Sequence, residues 1–112
     1  MKIGLLIVLL LAAVHLVPSA QQTELSVTVV NKLKLARQNE TIELTVRDLA
    51  SLAEKDLTKL HVRDSSGKEV LAQSVDTDYD DLHKPDILIF QADFKPGETK
   101  RFTVSGGNKR AL

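Results

Sequence analysis

The feature that most constrains this chain is a two-residue rhythm. In ELSVTVVNKLKL, residues 24–35, Leu25, Val27, Val29, Leu33 and Leu35 take the odd positions, and Ser26, Thr28, Lys32 and Lys34 take even ones. Side chains of an extended backbone point alternately to opposite faces, so the pattern predicts a strand with one buried and one solvated face. TIELTVR, residues 41–47, repeats it, with Ile42, Leu44 and Val46 opposed to Thr41, Glu43, Thr45 and Arg47. DILIFQADF, residues 86–94, is the most apolar strand past residue 20 and sets Leu88, Phe90, Ala92 and Phe94 on one face. Thr99–Ser105 ends the series with Phe102 and Val104 pointing inward.

Turn chemistry separates these runs. Ala36–Glu40 is charged and amide-rich and reads as a turn. Ser65-Ser66-Gly67, between the strand-like runs 60–64 and 68–75, argues a hairpin. In Lys95-Pro96-Gly97-Glu98, Pro fixes φ at the second position and Gly admits the positive φ that a type II turn needs at the third. DLASLAEKDL, residues 48–57, changes period. Leu49, Leu52 and Ala53 recur at helical spacing behind Asp48 as an N-cap, which predicts one or two helical turns, or else an irregular connection. About six short strands separated by turns predict a mainly β fold, a small antiparallel β-sandwich with one short helical turn. A small barrel, or an α+β domain if residues 48–57 form a longer helix, is the alternative.

The N-terminus has its own logic. Lys2 precedes an apolar run from Ile3 to Val14, and small residues follow. That layout predicts a secretory signal over residues 1–20, cleaved after Ser19 or Ala20. A membrane anchor is the rival, but a bilayer span needs about 20 predominantly apolar residues. This run is broken by His15 and Pro18. The expected product is exported to the periplasm, envelope or medium, with no stable membrane span after cleavage. Its domain would cover residues 21–105, with 106–112 as a flexible tail.

Removing the first 20 of 112 residues leaves 92. A domain of that size is marginal, and exported domains often compensate with disulfides. This chain has no cysteine. A bound metal, a protein partner or the remainder of a larger protein must then supply the difference. The whole chain balances 15 Lys+Arg against 15 Asp+Glu. No basic excess or stripe is present, which argues against nucleic acid as a partner.

One local pattern points to chemistry. Asp76-Thr77-Asp78-Tyr79-Asp80-Asp81 places carboxylates at alternate positions, with Asp86 further on. Ca²⁺ takes six to eight oxygen ligands, and D-x-D-x-D loops supply them in this way. The expected metal ligands are Asp76, Asp78, Asp80 and Asp86. Asp81 stands where such loops carry glycine, and Ile87 where they carry a bidentate glutamate. The alternative is a solvated acidic loop whose aspartates favour turns. His61 and His83 read as surface histidines. The sequon Asn39-Glu40-Thr41 matters only in a host that glycosylates such sites. There is no Trp, and the three Phe residues fall on apolar strand faces, so only Tyr79 is free to stack on a sugar. No nucleophile elbow, P-loop, dinucleotide fingerprint or zinc spacing occurs, so no catalytic residue is assigned.

The segment GKEVLAQSVDTDYD…PDILIFQADFKPGETKRFTV resembles the opening region of a secreted bacterial family, domain of unknown function 4861. Gly67, Gln73, Asp76, Asp78, Asp80, Asp86, Leu88–Phe94, Pro96-Gly97-Glu98-Thr99 and Phe102 carry the resemblance, and Asn31–Arg37 and Thr41–Val46 fit its first strands. The acidic loop departs from the family in lacking a glycine and in its length. Family members tend to occur beside polysaccharide-degrading enzymes and to be much longer. The resemblance thus implies a noncatalytic accessory or interaction module of a polysaccharide-utilisation system. Its rival is the N-terminal piece of a polysaccharide hydrolase or lyase whose active site lies beyond Leu112. A protein partner or the remainder of a larger protein is expected; a carbohydrate ligand is an option without support from exposed aromatics.

Overall fold

The computed structural model describes residues 4–8, 14–16, 21–78 and 84–110. Nine strands and one 3₁₀ turn occur among them: β1 Gly4–Val8, β2 Val14–Leu16, β3 Glu24–Val30, β4 Arg37–Thr45, β5 Leu60–Asp64, β6 Glu69–Val70, β7 Ala72–Val75, β8 Ile87–Phe94 and β9 Thr99–Gly106, with the turn at Leu57–Lys59. They form a six-stranded sheet, ordered β2-β1-β3-β9-β5-β6, and a three-stranded sheet, ordered β4-β8-β7. Every strand pair is antiparallel except β1 with β3. The architecture is the mainly β, two-sheet arrangement that the alternation predicts.

The core is the layer between the sheets. Leu25, Val27 and Val29 of β3, Leu60 and Val62 of β5, and Phe102 and Val104 of β9 are buried from one side; Ile42 and Leu44 of β4, Ala72 of β7, and Leu88, Phe90 and Phe94 of β8 are buried from the other. The register sets Ile42 and Ala72 on either flank of Phe90, so one inward row crosses all three strands. Phe90 meets Phe102 from the other sheet edge-on at 4.9 Å between ring centroids, a geometry that aromatic pairs favour.

Three sequence readings shift in detail. The first run does not extend to residue 35: β3 ends at Val30, and Leu35 is exposed. Asn31 causes the break. Its side chain is wholly buried, its Nδ2 donates to the carbonyls of Leu35 and Lys95, and its Oδ1 accepts from the Leu33 amide. A side chain that satisfies loop backbone groups competes with strand continuation. Residues 37–40, read as a turn, already belong to β4, which bulges between Arg37 and Glu40; Asn39 there has a φ of 51°. The run 68–75 is also two strands, for β6 pairs with β5 in one sheet and β7 with β8 in the other. The chain changes sheets at Leu71, whose side chain is left 85% exposed.

The helical turn falls later than its expected span. Residues 46–51 form linked turns, with Asp48 Oδ2 accepting from the Thr45 amide and Thr45 Oγ1 from the Asp48 amide. Leu49 and Leu52 are buried as their spacing implies, but Ala53 is exposed. The single 3₁₀ turn is capped by Asp56, which accepts from the amide and hydroxyl of Thr58. At the hairpin and at the Lys95–Glu98 turn, Gly67 and Gly97 adopt φ of 86° and 70°. Glu98 N donates to Lys95 O, closing the type II turn.

Beyond β9, the segment read as a tail makes defined bonds in its described part. The Gly107 and Arg110 amides donate to Lys59 O and Thr58 O. The Arg110 guanidinium donates to Leu57 O and Leu60 O at 2.6 and 2.5 Å and to Ser74 Oγ at 3.0 Å, so it ties β7 of one sheet to the start of β5 in the other.

Asn31→Ala should cost about 2 kcal/mol in a urea titration, since it removes three hydrogen bonds that a wholly buried side chain makes to loop backbone groups. Leu71→Ser, at a far more exposed side chain, should stay within about 0.5 kcal/mol. Equal effects of the two substitutions would contradict the role given to Asn31.

Candidate metal centre

The acidic segment lies at the end of the β7–β8 hairpin. These strands pair from Ala72↔Phe90 to Val75↔Ile87, so the next residues on each side, Asp76 and Asp86, face one another across the stem. The Asp86 amide donates to Val75 O and closes the last rung. Thr77 then reaches back: its amide donates to Asp86 Oδ1 at 2.7 Å and its hydroxyl to Asp86 Oδ2.

The structure brings Asp76, Asp78 and Asp86 together. One carboxylate oxygen from each lies within 4.8 Å of the others, with Asp76 and Asp86 half-buried and Asp78 exposed. Calcium–oxygen distances are about 2.4 Å, so two ligands of one ion stand at most about 4.8 Å apart. Each pair of these carboxylates is therefore close enough to share one ion. The donors are hard oxygens, the type that suits Ca²⁺. Asp86 accepts two hydrogen bonds from Thr77, yet a carboxylate offers about four lone-pair sites and retains capacity for an ion. Asp80, the fourth expected ligand, lies outside the described residues, as do Tyr79 and His83.

Asp86 is held below the ordinary carboxylate pKa, first by the Thr77 hydroxyl and then by the Thr77 amide. Hydrogen bonds to the ionised form favour it. A general acid for glycoside cleavage needs the opposite shift. Asp86 is thus suited to remain charged and to ligate rather than to deliver a proton. Asp78 and Asp86 also line a cleft of about 590 Å³ whose walls include Lys55, Asp56 and Lys84, so its charge is mixed.

Other candidate residues have structural partners. His61 Nδ1 is 3.1 Å from Glu69 Oε2 and its Nε2 is 2.7 Å from the Asn108 carbonyl, which makes it a link between the β5–β6 hairpin and the C-terminal segment. Phe90, Phe94 and Phe102 are buried and offer no platform for a sugar ring. The sequon residue Asn39 is exposed, and its amide donates to Asp93 Oδ1. No described helix is long and apolar enough to cross a membrane.

Two stacked sheets with an acidic loop at one hairpin end define a small β-sandwich module. The family profile described as Domain of unknown function (DUF4861) matches residues 29–111. The chain belongs to that family. Comparison with curated proteins finds no match.

The depressed pKa of Asp86 has a stability consequence. The unfolded chain takes up this proton more readily than the folded one, so acid favours unfolding. The stabilisation is intact above about pH 4 and is lost as pH falls through the folded value. Asp56 and Asp64 are depressed in the same direction, by the hydroxyls of Thr58 and Ser66 first. Asp86→Asn should therefore shrink, without abolishing, the loss of melting temperature between about pH 6 and about pH 3. An unchanged acid limb in that variant would show that the Thr77–Asp86 contact does not persist in solution.

Proposed function

We propose that this chain is an exported, noncatalytic accessory or interaction module of a polysaccharide-utilisation system, braced by Ca²⁺ at Asp76, Asp78 and Asp86, with Asp80 of the same loop as a further ligand. The convergence of three carboxylates across the β7–β8 stem carries the calcium part of this reading. Carbonyls or water would complete a shell of six to eight oxygens. The ion's role is structural: it neutralises three clustered negative charges and fixes the far end of the hairpin whose inner face forms much of the core. A disulfide-free domain gains most from such a brace. The link to polysaccharide rests on family resemblance alone, and with Phe90, Phe94 and Phe102 buried, Tyr79 is the one remaining aromatic residue of the sequence.

Extracellular calcium modules bind with dissociation constants of about 0.1–1 mM. At about 10 mM calcium, selective binding to the folded state then adds about 2 kcal/mol, or roughly 10 °C in melting temperature for a domain of this size. Asp76→Asn/Asp78→Asn should lose that shift and keep a cooperative melt, and magnesium should substitute poorly. An unchanged melting temperature at this calcium concentration would defeat the brace. Turnover of an acidic polysaccharide by the purified protein would defeat the noncatalytic assignment.

A further inference from the structure

β3 is laddered to β9 along its whole length, from Glu24↔Ser105 to Val30↔Thr99. Its other edge carries β1, parallel, from Gly4↔Ser26 to Val8↔Val30. Leu5 stands opposite Val27 and is 1% exposed, so it fills a core position at that edge. All of β1 lies inside the segment read as an export leader. On that reading, removal of residues 1–20 takes this strand away. β3 then becomes the sheet edge, with a row of unpaired amides and carbonyls and an opened apolar position beside Val27.

Natural edge strands are blunted by lysine, proline, bulges or covering segments. β3 has no such device of its own. Its sequence ELSVTVV contains no Lys, Pro or Gly; its only charge is Glu24 at the first position, and its register with β9 runs without a bulge. The strand is also self-complementary. A two-fold axis through Val27 pairs all seven residues of two antiparallel copies. Leu25 then faces Val29 of the second copy on the inner side, Ser26 faces Thr28 on the outer side, and Glu24 faces Val30, so no like charges are opposed. Val27 of the second copy takes the position that Leu5 vacates. The arrangement is isologous and closes at two chains.

We propose that the processed chain forms a two-fold dimer by β3–β3 pairing, and that β1 holds this edge closed in the precursor. The proposal rests on the leader reading. It is independent of the calcium brace, since the acidic stem belongs to the other sheet.

The test expresses the full-length chain in a secreting bacterial host and recovers the exported protein. Its N-terminus is fixed by mass spectrometry and its solution mass by light scattering after gel filtration. The expected result is a chain that starts at residue 20 or 21 and has twice the single-chain mass. S26E/T28E should halve that mass. Its carboxylates oppose one another across the axis, whereas in the monomer residue 28 lies beside Arg101. S26K/T28K alone should also be single, and mixing the two variants should restore a dimer made of one chain of each. An exported chain that retains residues 4–8, a single-chain mass for the unsubstituted protein at about 100 µM, or an S26E/T28E protein that remains double would each overturn the proposal. A melt that responds to calcium while the mass stays single would overturn this inference and leave the calcium brace standing.

Discussion

The fold depends on one apolar layer between two sheets, because no cysteine is available to hold them together. Burial of apolar surface is non-directional, so burial alone does not fix how the sheets sit on each other. The Phe90–Phe102 edge contact supplies direction, since each ring comes from a different sheet. The rows around it supply the rest. Ile42, Phe90 and Ala72 share one rung of the small sheet, and Val27 and Phe102 share one of the large sheet. A large aromatic flanked by alanine on one strand and isoleucine on the other makes a contoured surface, and contoured surfaces interlock where flat ones slide.

Two polar clamps then secure the ends of this layer. Asn31 lies just past the Val30↔Thr99 rung and binds the β8–β9 turn through Lys95 O. Arg110 lies past the opposite end of β9, near the Leu60↔Gly106 rung, and binds Leu57 O, Leu60 O and Ser74 Oγ. Burial depresses the arginine pKa, yet a guanidinium starts so high that it remains charged and keeps donating. Both clamps donate several hydrogen bonds from one side chain to loop and strand-end acceptors. They also do what a disulfide does geometrically: each joins segments from both sheets at one end of the domain.

The parts of the fold that were legible in the sequence are those that follow from local alternation. Leu25, Val27 and Val29, Ile42 and Leu44, Leu88, Phe90 and Phe94, and Phe102 and Val104 all point inward as read. Alternation carries no information about which sheet a strand joins, so the change of sheet at Leu71 was hidden: the residues on either side keep strand-like composition. Nor does it report long-range polar partners. Asn31 sits inside the alternating run 24–35 with no local sign of its role, because its partner Lys95 lies 64 positions away. The candidate site was more legible than the loops around it. Asp76 and Asp78 stood out by spacing, and the pairing of Val75 with Ile87 brings Asp86 to them. The Thr77–Asp86 contact leaves no mark on the alternation, since it depends on the register of β7 with β8, which sets a threonine between two aspartates beside the opposite strand.

The same alternation that builds the core also creates the liability at β3. A strand with Leu25, Val27 and Val29 facing in must present its backbone to a neighbour on both sides or leave one side open. β9 satisfies one side in full. For the other side, the residues that make β3 a good core strand are β-branched or small and uncharged, and those are the residues that make an edge adhesive. Adding charge to the inward positions would empty the core, so protection has to come from another segment. In the structure that segment is β1, which ladders with Ser26–Val30 and sets Leu5 opposite Val27. Leu5 fills the inner-face position beside Val27 there, and the ladder gives the amides and carbonyls on that side of β3 a partner, so the protection is both apolar and polar.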